Sequence, residues 1–196
     1  MPCRQVRREG WEKLAARFTD KRVTSAISGI CRFGARIGYE GVRESRTIHP
    51  NLSTAQADTN LVTANIATEL MKSRLLVYPN KDRLPIPFTV SPLKLTDKAD
   101  GSKRELHHLS YPTTDSSSIN AGIPEHYGTI TYSGIGEAIQ AIQDMGKDCI
   151  LVKRVFESAF HHIPVSLLES LLLGFQWENT YYAESFLPFG LRTASY

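Results

Sequence analysis

Two histidine pairs, His107-His108 and His161-His162, offer imidazole nitrogens for metal binding or proton transfer. If both pairs lie on strands, neighbouring side chains point to opposite faces, so neither pair closes on one ion by itself. One histidine from each pair could meet across a sheet, but no Cys or carboxylate stands at a recognisable ligand spacing, and a structural role is preferred. Gly134-Ile135-Gly136-Glu137-Ala138-Ile139 has the first two glycines of a dinucleotide-binding turn. Ile139 fills the third glycine position, where helix and strand must approach closely, and the match is rejected. No Gly-x-Ser-x-Gly elbow exists for a serine nucleophile, and Cys3, Cys31 and Cys149 carry no local signature of a reactive or metal-binding thiol. Asn51-Leu52-Ser53 matches a glycosylation sequon. However, no apolar core follows the basic residues at the N-terminus, so it does not read as a secretory signal. The cysteines read as reduced thiols, and an intracellular location, cytoplasm or nucleus, is expected.

Composition sets the class. The chain has 196 residues, 41% hydrophobic and 22% charged, close to the averages for soluble globular proteins and long enough to bury one good core. This excludes a wholly disordered chain, a collagen-like repeat and a coiled coil. The longest apolar runs, 163–168 and 171–175, fall far short of the ~20 residues needed to span a bilayer, and no membrane partner is expected. The net charge of +3 hides an asymmetry: residues 1–47 carry eleven Lys/Arg against five acids, whereas the rest sums to −3. A basic N-terminal arm is the footprint of something that meets phosphate, although a solvated surface explains a modest excess equally well.

The elements follow from pattern. Residues 11–30 read as a short helix around Trp11, Leu14, Phe18 and Val23 that ends near Gly29, and Arg32 to Gly41 as a strand or extended turn. Ser53 and Gln56 match a capping box before a long helix whose face is Val62, Ile66 and Leu70, with Lys72 and Arg74 in its last turn. Pro79, Pro85 and Pro87 leave an extended segment. Phe88 to Leu95 reads as a strand, 97–102 as a hairpin turn with Gly101 free to take positive φ, and Arg104 to Leu109 as the returning strand. Pro112 to Gly122 is a polar loop. Ile135, Ala138, Ile139, Ile142 and Met145 share a helical face, with Ser133 at the start and Gly146 at the end. Cys149 to Phe156 reads as a central strand. Ser166 to Glu169 is a second capping box, and Phe175 to Trp177 with Thr180 to Phe186 a hairpin. Strands in hairpins as well as after helices point to α+β.

One ordered set of pieces spans much of the chain: Val90-Ser-Pro-Leu93, Lys98 to Arg104, His108-Leu-Ser-Tyr-Pro112, Ser118-Ile-Asn120, Lys153, Ala159-Phe160, Ile163-Pro-Val165, Leu173-Gly-Phe-Gln-Trp177 and Leu187-Pro-Phe-Gly-Leu-Arg192. With Phe33 to Gly41 and Asn51-Leu-Ser-Thr-Ala55 upstream, this set resembles the fingers and early palm of reverse transcriptases from eukaryotic retroelements, most closely the DIRS-like branch and its relatives. The resemblance covers roughly residues 11–196. It implies a partial right-hand polymerase fold, fingers plus incomplete palm, with an antiparallel sheet flanked by helices near 54–74 and 134–145. The divisions it implies are a basic N-terminal segment (1–47), a fingers-like region (48–130) and a truncated palm-like region (131–196). It further implies that Arg104 contacts an incoming nucleoside triphosphate, that Lys98 assists, that Phe160 is the aromatic gate against the sugar, and that Leu187, Pro188, Phe189 and Gly190 line the nucleotide pocket. A primer–template is the implied partner.

The departures from that pattern are as informative. Polymerases of this kind hold Mg²⁺ with clustered carboxylates. Val155 stands where the resemblance requires the first metal-binding aspartate, and Glu157 belongs to a different turn geometry. The Tyr-x-Asp-Asp hairpin that supplies the other carboxylates is expected beyond the Leu187-Gly190 turn, and the 196 residues do not contain it. Lys103 replaces a usual Trp, and Ser195 a usual Pro. No catalytic residue, no metal ligand and no bound cofactor are therefore expected, and a truncated, inactive reverse-transcriptase-like domain is the leading reading. A non-catalytic nucleic-acid-binding module and a marginally folded relic are the alternatives.

Overall fold

Capping chemistry decides where the N-terminal helices begin and end. The computed structural model describes residues 8–114, 116–129 and 131–194; Cys3, Arg4, Arg7, Ser195 and Tyr196 lie outside the described residues, as do the side chains of Trp11 and Leu14. Two helices replace the single one expected over 11–30: α1 (Arg8–Ala15) and α2 (Lys21–Phe33). Asp20 divides them, because its carboxylate accepts the Arg22 N–H at 2.8 Å and so satisfies an orphan donor of a new helix start. Helix α2 runs past Gly29 to a cap at Gly34. The segment after it is irregular, joined to the rest by an isolated bridge between Ala35 and Val165, and leads to β1 (Arg46–Ile48).

The same device splits the next expected helix into α3 (Ser53–Gln56) and α4 (Thr59–Met71). Leu52, not Ser53, caps α3, and no side-chain cap bond forms there. The Asp58 carboxylate instead accepts the Leu61 N–H at 3.3 Å and starts α4. Val62 and Ile66 are buried as their spacing predicts, while Leu70 lies at the edge of solvent. Strand β2 (Leu75–Tyr78) follows. The single strand expected over 88–95 is two, β3 (Phe88–Val90) and β4 (Leu93–Asp97), divided at Pro92, which has no N–H to give a ladder. Strand β5 (Lys103–His107) returns against β4 as a hairpin.

Beyond these come α5 (Ile135–Met145), α6 (Leu167–Ser170), β6 (Gly174–Trp177) and β7 (Thr180–Glu184). The Ser166 hydroxyl accepts the Glu169 N–H at 3.4 Å, so the second capping signal forms its cap. The main sheet has the order β1-β3-β6-β7-β2. It is mixed, not antiparallel as expected: β1 with β3 and β3 with β6 are parallel, and β6 with β7 and β7 with β2 antiparallel. Segments 49–87 and 91–173 are long enough to bring the chain back in the same direction, which parallel neighbours require.

Period-two alternation gives the sheet two apolar faces. Phe88, Val90, Tyr181 and Ala183 point to one side with Leu84 and Leu171. Leu75, Phe175 and Trp177 point to the other, against Val62 and Ile66 of α4 and Leu93 and Leu95 of β4. The Trp177 indole N–H donates to Thr63 Oγ1 at 2.9 Å and fixes α4 on that face. A third cluster gathers under the loops around Ile37, Leu109, Ile119, Leu173 and Leu187. The loop 112–122, expected to be polar, buries Ser118, Ile119 and Asn120 into it.

Two expectations fail near residue 150. Helix α5 forms, capped by Gly134 rather than Ser133 through the Glu137 carboxylate, but its stripe faces solvent and Ile135 is 82% exposed. It therefore does not flank the sheet. The run Cys149 to Phe156 is no strand, central or otherwise, and Ile150 is 86% exposed. Strand preference is a preference for a pleated, half-buried surface, and no ladder partner reaches this run among the described residues. Among those residues no helix is long and apolar enough to cross a membrane.

Candidate functional site

The β4–β5 hairpin decides where Arg104 looks. The register pairs Thr96 with Arg104 and Leu95 with Glu105. Alternation then puts Lys103 and Glu105 on one face and Arg104 on the other. The first face meets α4: Lys103 Nζ lies 3.1 Å from Asp58 Oδ2, and Asn65 Nδ2 donates to Glu105 Oε2 at 3.0 Å. Arg104 points away, and its guanidinium carbon stands 4.8 Å from the centroid of the Phe189 ring, a cation–π distance. The Phe160 ring lies 5.9 Å from Phe189 with the planes inclined at 41°. Three expected site residues, remote along the chain, thus form one cluster.

Phe160 rides on a 3₁₀ turn, Ala159–His162. The turn is tied on two sides. Leu187 N–H donates to the Ile163 carbonyl at 3.0 Å. His161 Nδ1 lies 3.4 Å from Glu69 Oε2 and 3.3 Å from Arg74 Nη1. Burial pushes the His161 imidazole below its ordinary value, against the pull of Glu69.

Leu187 and Pro188 are buried, whereas Phe189 is 43% exposed. Gly190 has φ +109°, and a Cβ there would lie 2.4 Å from the His107 carbonyl oxygen. Both the conformation and the space demand glycine. Asn120 clamps this turn: its Nδ2 donates to the Gly190 carbonyl and to Ser110 Oγ, each at 2.8 Å, and its Oδ1 accepts the Arg192 N–H at 2.8 Å. Asn120 stands in one of the ordered pieces, yet a lone Asn in a loop has no spacing signal that would assign it this work. His107 lies below. Its Nε2 is 2.9 Å from the Gly174 carbonyl and so carries the proton, and burial pushes the ring down to about 4. The two histidine pairs therefore serve separate structural contacts.

Lys98 is not part of the ring cluster. It sits exposed in the hairpin turn, where Gly101 takes φ +78° and the Lys98 N–H donates to the Ser102 carbonyl at 2.7 Å. Behind the hairpin, Glu69, Glu105 and Glu184 lie close enough to act on one another, and Arg74 pairs with Glu69 at 3.1 Å. Burial pushes Glu105 up to about 7, with the Asn65 bond opposing and Glu69 adding to the rise. Glu184, whose Oε2 is sealed with no hydrogen-bond partner among the described residues, is pushed up well above its ordinary value by burial and by Glu69 and Glu105. A hollow of about 370 Å³ opens between the Arg36 to Glu40 segment, Tyr127 and Thr193.

The residues present do not fit a Mg²⁺ cage. Val155 is 82% exposed and has no donor oxygen, and among the described residues no three His, Cys, Asp or Glu side chains converge as metal ligands.

No family model matches this chain, and neither does any curated protein. Among solved structures it is similar to protease–reverse transcriptases of foamy viruses. The native prototype foamy virus protein is 16% identical with a TM-score of 0.47, over 97% of this chain and 25% of that one. The foamy viral protein in complex with double-stranded DNA is 15% identical with a TM-score of 0.45, over 95% and 39%. The one in complex with an RNA/DNA hybrid is 14% identical with a TM-score of 0.46, over 95% and 25%. The chain thus spans between a quarter and two fifths of the length of these structures.

Proposed function

We propose that this chain is a reverse-transcriptase-like domain of retroelement origin, from the DIRS-like branch or a relative, arranged as fingers and early palm, which grips nucleic-acid phosphate at Arg104 and does not itself join nucleotides. The observation that carries this reading is the convergence of Arg104, Phe160 and Phe189. A guanidinium resting on an aromatic face keeps its plane fixed, and its N–H fork stays open for two oxygens of one phosphate. The exposed ring surface beside it suits a sugar or base. Arg104 has no carboxylate neighbour within ion-pair distance among the described residues. The excess of base in residues 1–47 favours a nucleic acid over a free triphosphate as the source of the phosphate. Inactivity rests on Val155, which can hold no metal at the position where the resemblance requires the first metal-binding aspartate. A nucleoside triphosphate is the alternative ligand of the same cluster.

Fluorescence anisotropy with a labelled RNA/DNA primer–template, and separately with a labelled nucleoside triphosphate, tests this. Hybrid binding is expected to weaken as salt rises. Arg104→Ala is expected to lower affinity about tenfold, the loss of ~1.4 kcal/mol of charge-assisted bonding, and Arg104→Lys to recover only part. Primer extension with Mg²⁺ or Mn²⁺ is expected to give no product. Hybrid binding indifferent to both Arg104→Ala and Phe189→Ala, or templated incorporation above background, overturns the reading.

A further inference from the structure

From Cys149 to Phe156 the chain runs without helix, turn or bend, and no backbone N–H or carbonyl in the run bonds to another described residue. Its residue types are those strands favour. Ile150, Leu151, Val152, Val155 and Phe156 are each at least 71% exposed. An apolar, β-prone run with open backbone groups is a template for another strand.

The charges say which strand. Lys147 stands just before the run and Glu157 just after it. Centred on Val152, an inverted copy of the segment sets Lys147 of each chain opposite Glu157 of the other, and Cys149 opposite Val155. The segment is thus complementary in charge to its own antiparallel copy. Parallel pairing in register would oppose Lys153 to Lys153 and Arg154 to Arg154. Of the two antiparallel registers one residue away, the one centred between Val152 and Lys153 would oppose Asp148 to Glu157. Like charges directly across a ladder are destabilising, so both arrangements are disfavoured.

We propose that this chain forms a two-fold dimer in which segment 147–157 pairs antiparallel with the same segment of a second copy, with Val152 on the axis. A closed two-fold contact of this kind uses one surface twice and stops at two chains. The pairing satisfies backbone groups that a single chain leaves to water, and it covers the apolar side chains of the run. Helix α5, whose apolar stripe leads into the run, is drawn to the same side. The inference is independent of the phosphate site.

Sedimentation velocity and light scattering over a range of protein concentration test it on the full chain. A concentration-dependent dimer is expected. Val152→Pro removes an N–H and cannot sit inside a ladder, so it should leave a monomer. The far-UV circular dichroism and denaturant midpoint of this variant should match the monomeric parent, because Val152 makes no backbone hydrogen bond to another described residue of the single chain. Lys147→Glu should weaken the dimer, and adding Glu157→Lys should restore it. In a Cys3→Ser, Cys31→Ser background, Val155→Cys should give an intermolecular disulfide with Cys149 of the second copy on mild oxidation, and Phe156→Cys much less. A monomer at every concentration, an open-ended aggregate, a dimer that survives Val152→Pro, or cross-linking through Phe156→Cys in preference to Val155→Cys each overturns the proposal.

Discussion

Gly190→Ala is expected to lower the unfolding free energy by on the order of 4 kcal/mol and to remove hybrid binding from whatever protein remains folded. Two separate effects add. The backbone at Gly190 has φ +109°, which an L side chain rarely adopts, and the new Cβ would meet the His107 carbonyl oxygen at 2.4 Å. That oxygen cannot retreat, because His107 is held through its ring to the Gly174 carbonyl and is paired with Leu93 in the hairpin. The turn must move instead, breaking the Asn120 bond to the Gly190 carbonyl and carrying Phe189 away from Arg104. Gly101 is the control. It also has positive φ, but a Cβ there meets nothing within 4 Å, so Gly101→Ala should cost only about 1 kcal/mol. Chemical denaturation of the two variants separates strain from collision. Equal losses would mean that the 187–190 turn is not seated on the hairpin in this way.

Raising the pH from 5 to 8 is expected to weaken the fold. Burial holds Glu105 at about 7 in the folded chain against 4.5 when exposed, and Glu184 is shifted in the same direction. Between those values the folded chain keeps protons that the unfolded chain has released, so unfolding becomes easier as the pH climbs from 4.5 through 7. For Glu105 the full effect is about 3 kcal/mol. His107 acts in the opposite sense over an overlapping window. Its ring is pushed from 6.5 down to about 4, so its contribution is lost as the pH falls between those values and offsets that of Glu105 there, leaving Glu184 to carry the loss of stability on the alkaline side. Stability is therefore expected to peak near pH 4.5, where the carboxylates of the unfolded chain begin to release their protons. Glu105→Gln should be more stable than the parent by about 2 kcal/mol at pH 8 and no more stable at pH 5. Urea denaturation from pH 4 to 9 reads both, and a parent profile flat between pH 5 and 8 would contradict the buried acid cluster.

The local signals in the sequence were reliable where turn chemistry or alternation was strong. Gly101 marks the hairpin turn, the 175–177 and 180–186 pair forms β6 and β7, and Ser166 caps α6. Asp20 and Asp58 were missed as helix starts although each is a good cap residue, because an apolar periodicity continuing across them masked the break. Strand direction was not legible at all. Whether β1 and β3 run parallel depends on where a long crossover lands, which no local pattern records. The largest failure, over 149–156, has the same origin: a run can have every preference of a central strand and still meet no edge. In the site, the turn 187–190 and Arg104 were named from ordered motifs, and the structure brings Arg104, Phe160 and Phe189 together. Lys98 was named with them and stands apart, because the hairpin tip projects beyond the cluster. Asn120 and the Glu105–Glu184 pair were given no role, since burial of a polar side chain is a property of the folded chain and leaves no mark in spacing.

Strand order has a consequence for how the chain is made. Strand β2 emerges from the ribosome about a hundred residues ahead of β7, its sole neighbour in the sheet among the described residues. At roughly 5 to 20 residues per second, that is a wait of about 5 to 20 s during translation. Through that interval Leu75 has neither a ladder nor the ring of Phe175 to shelter it, and the nascent chain holds little beyond the β1–β3 pair and the β4–β5 hairpin. Closure of the sheet is a late event, and a chaperone that covers apolar segments during elongation should raise the yield of folded protein more than one added after release.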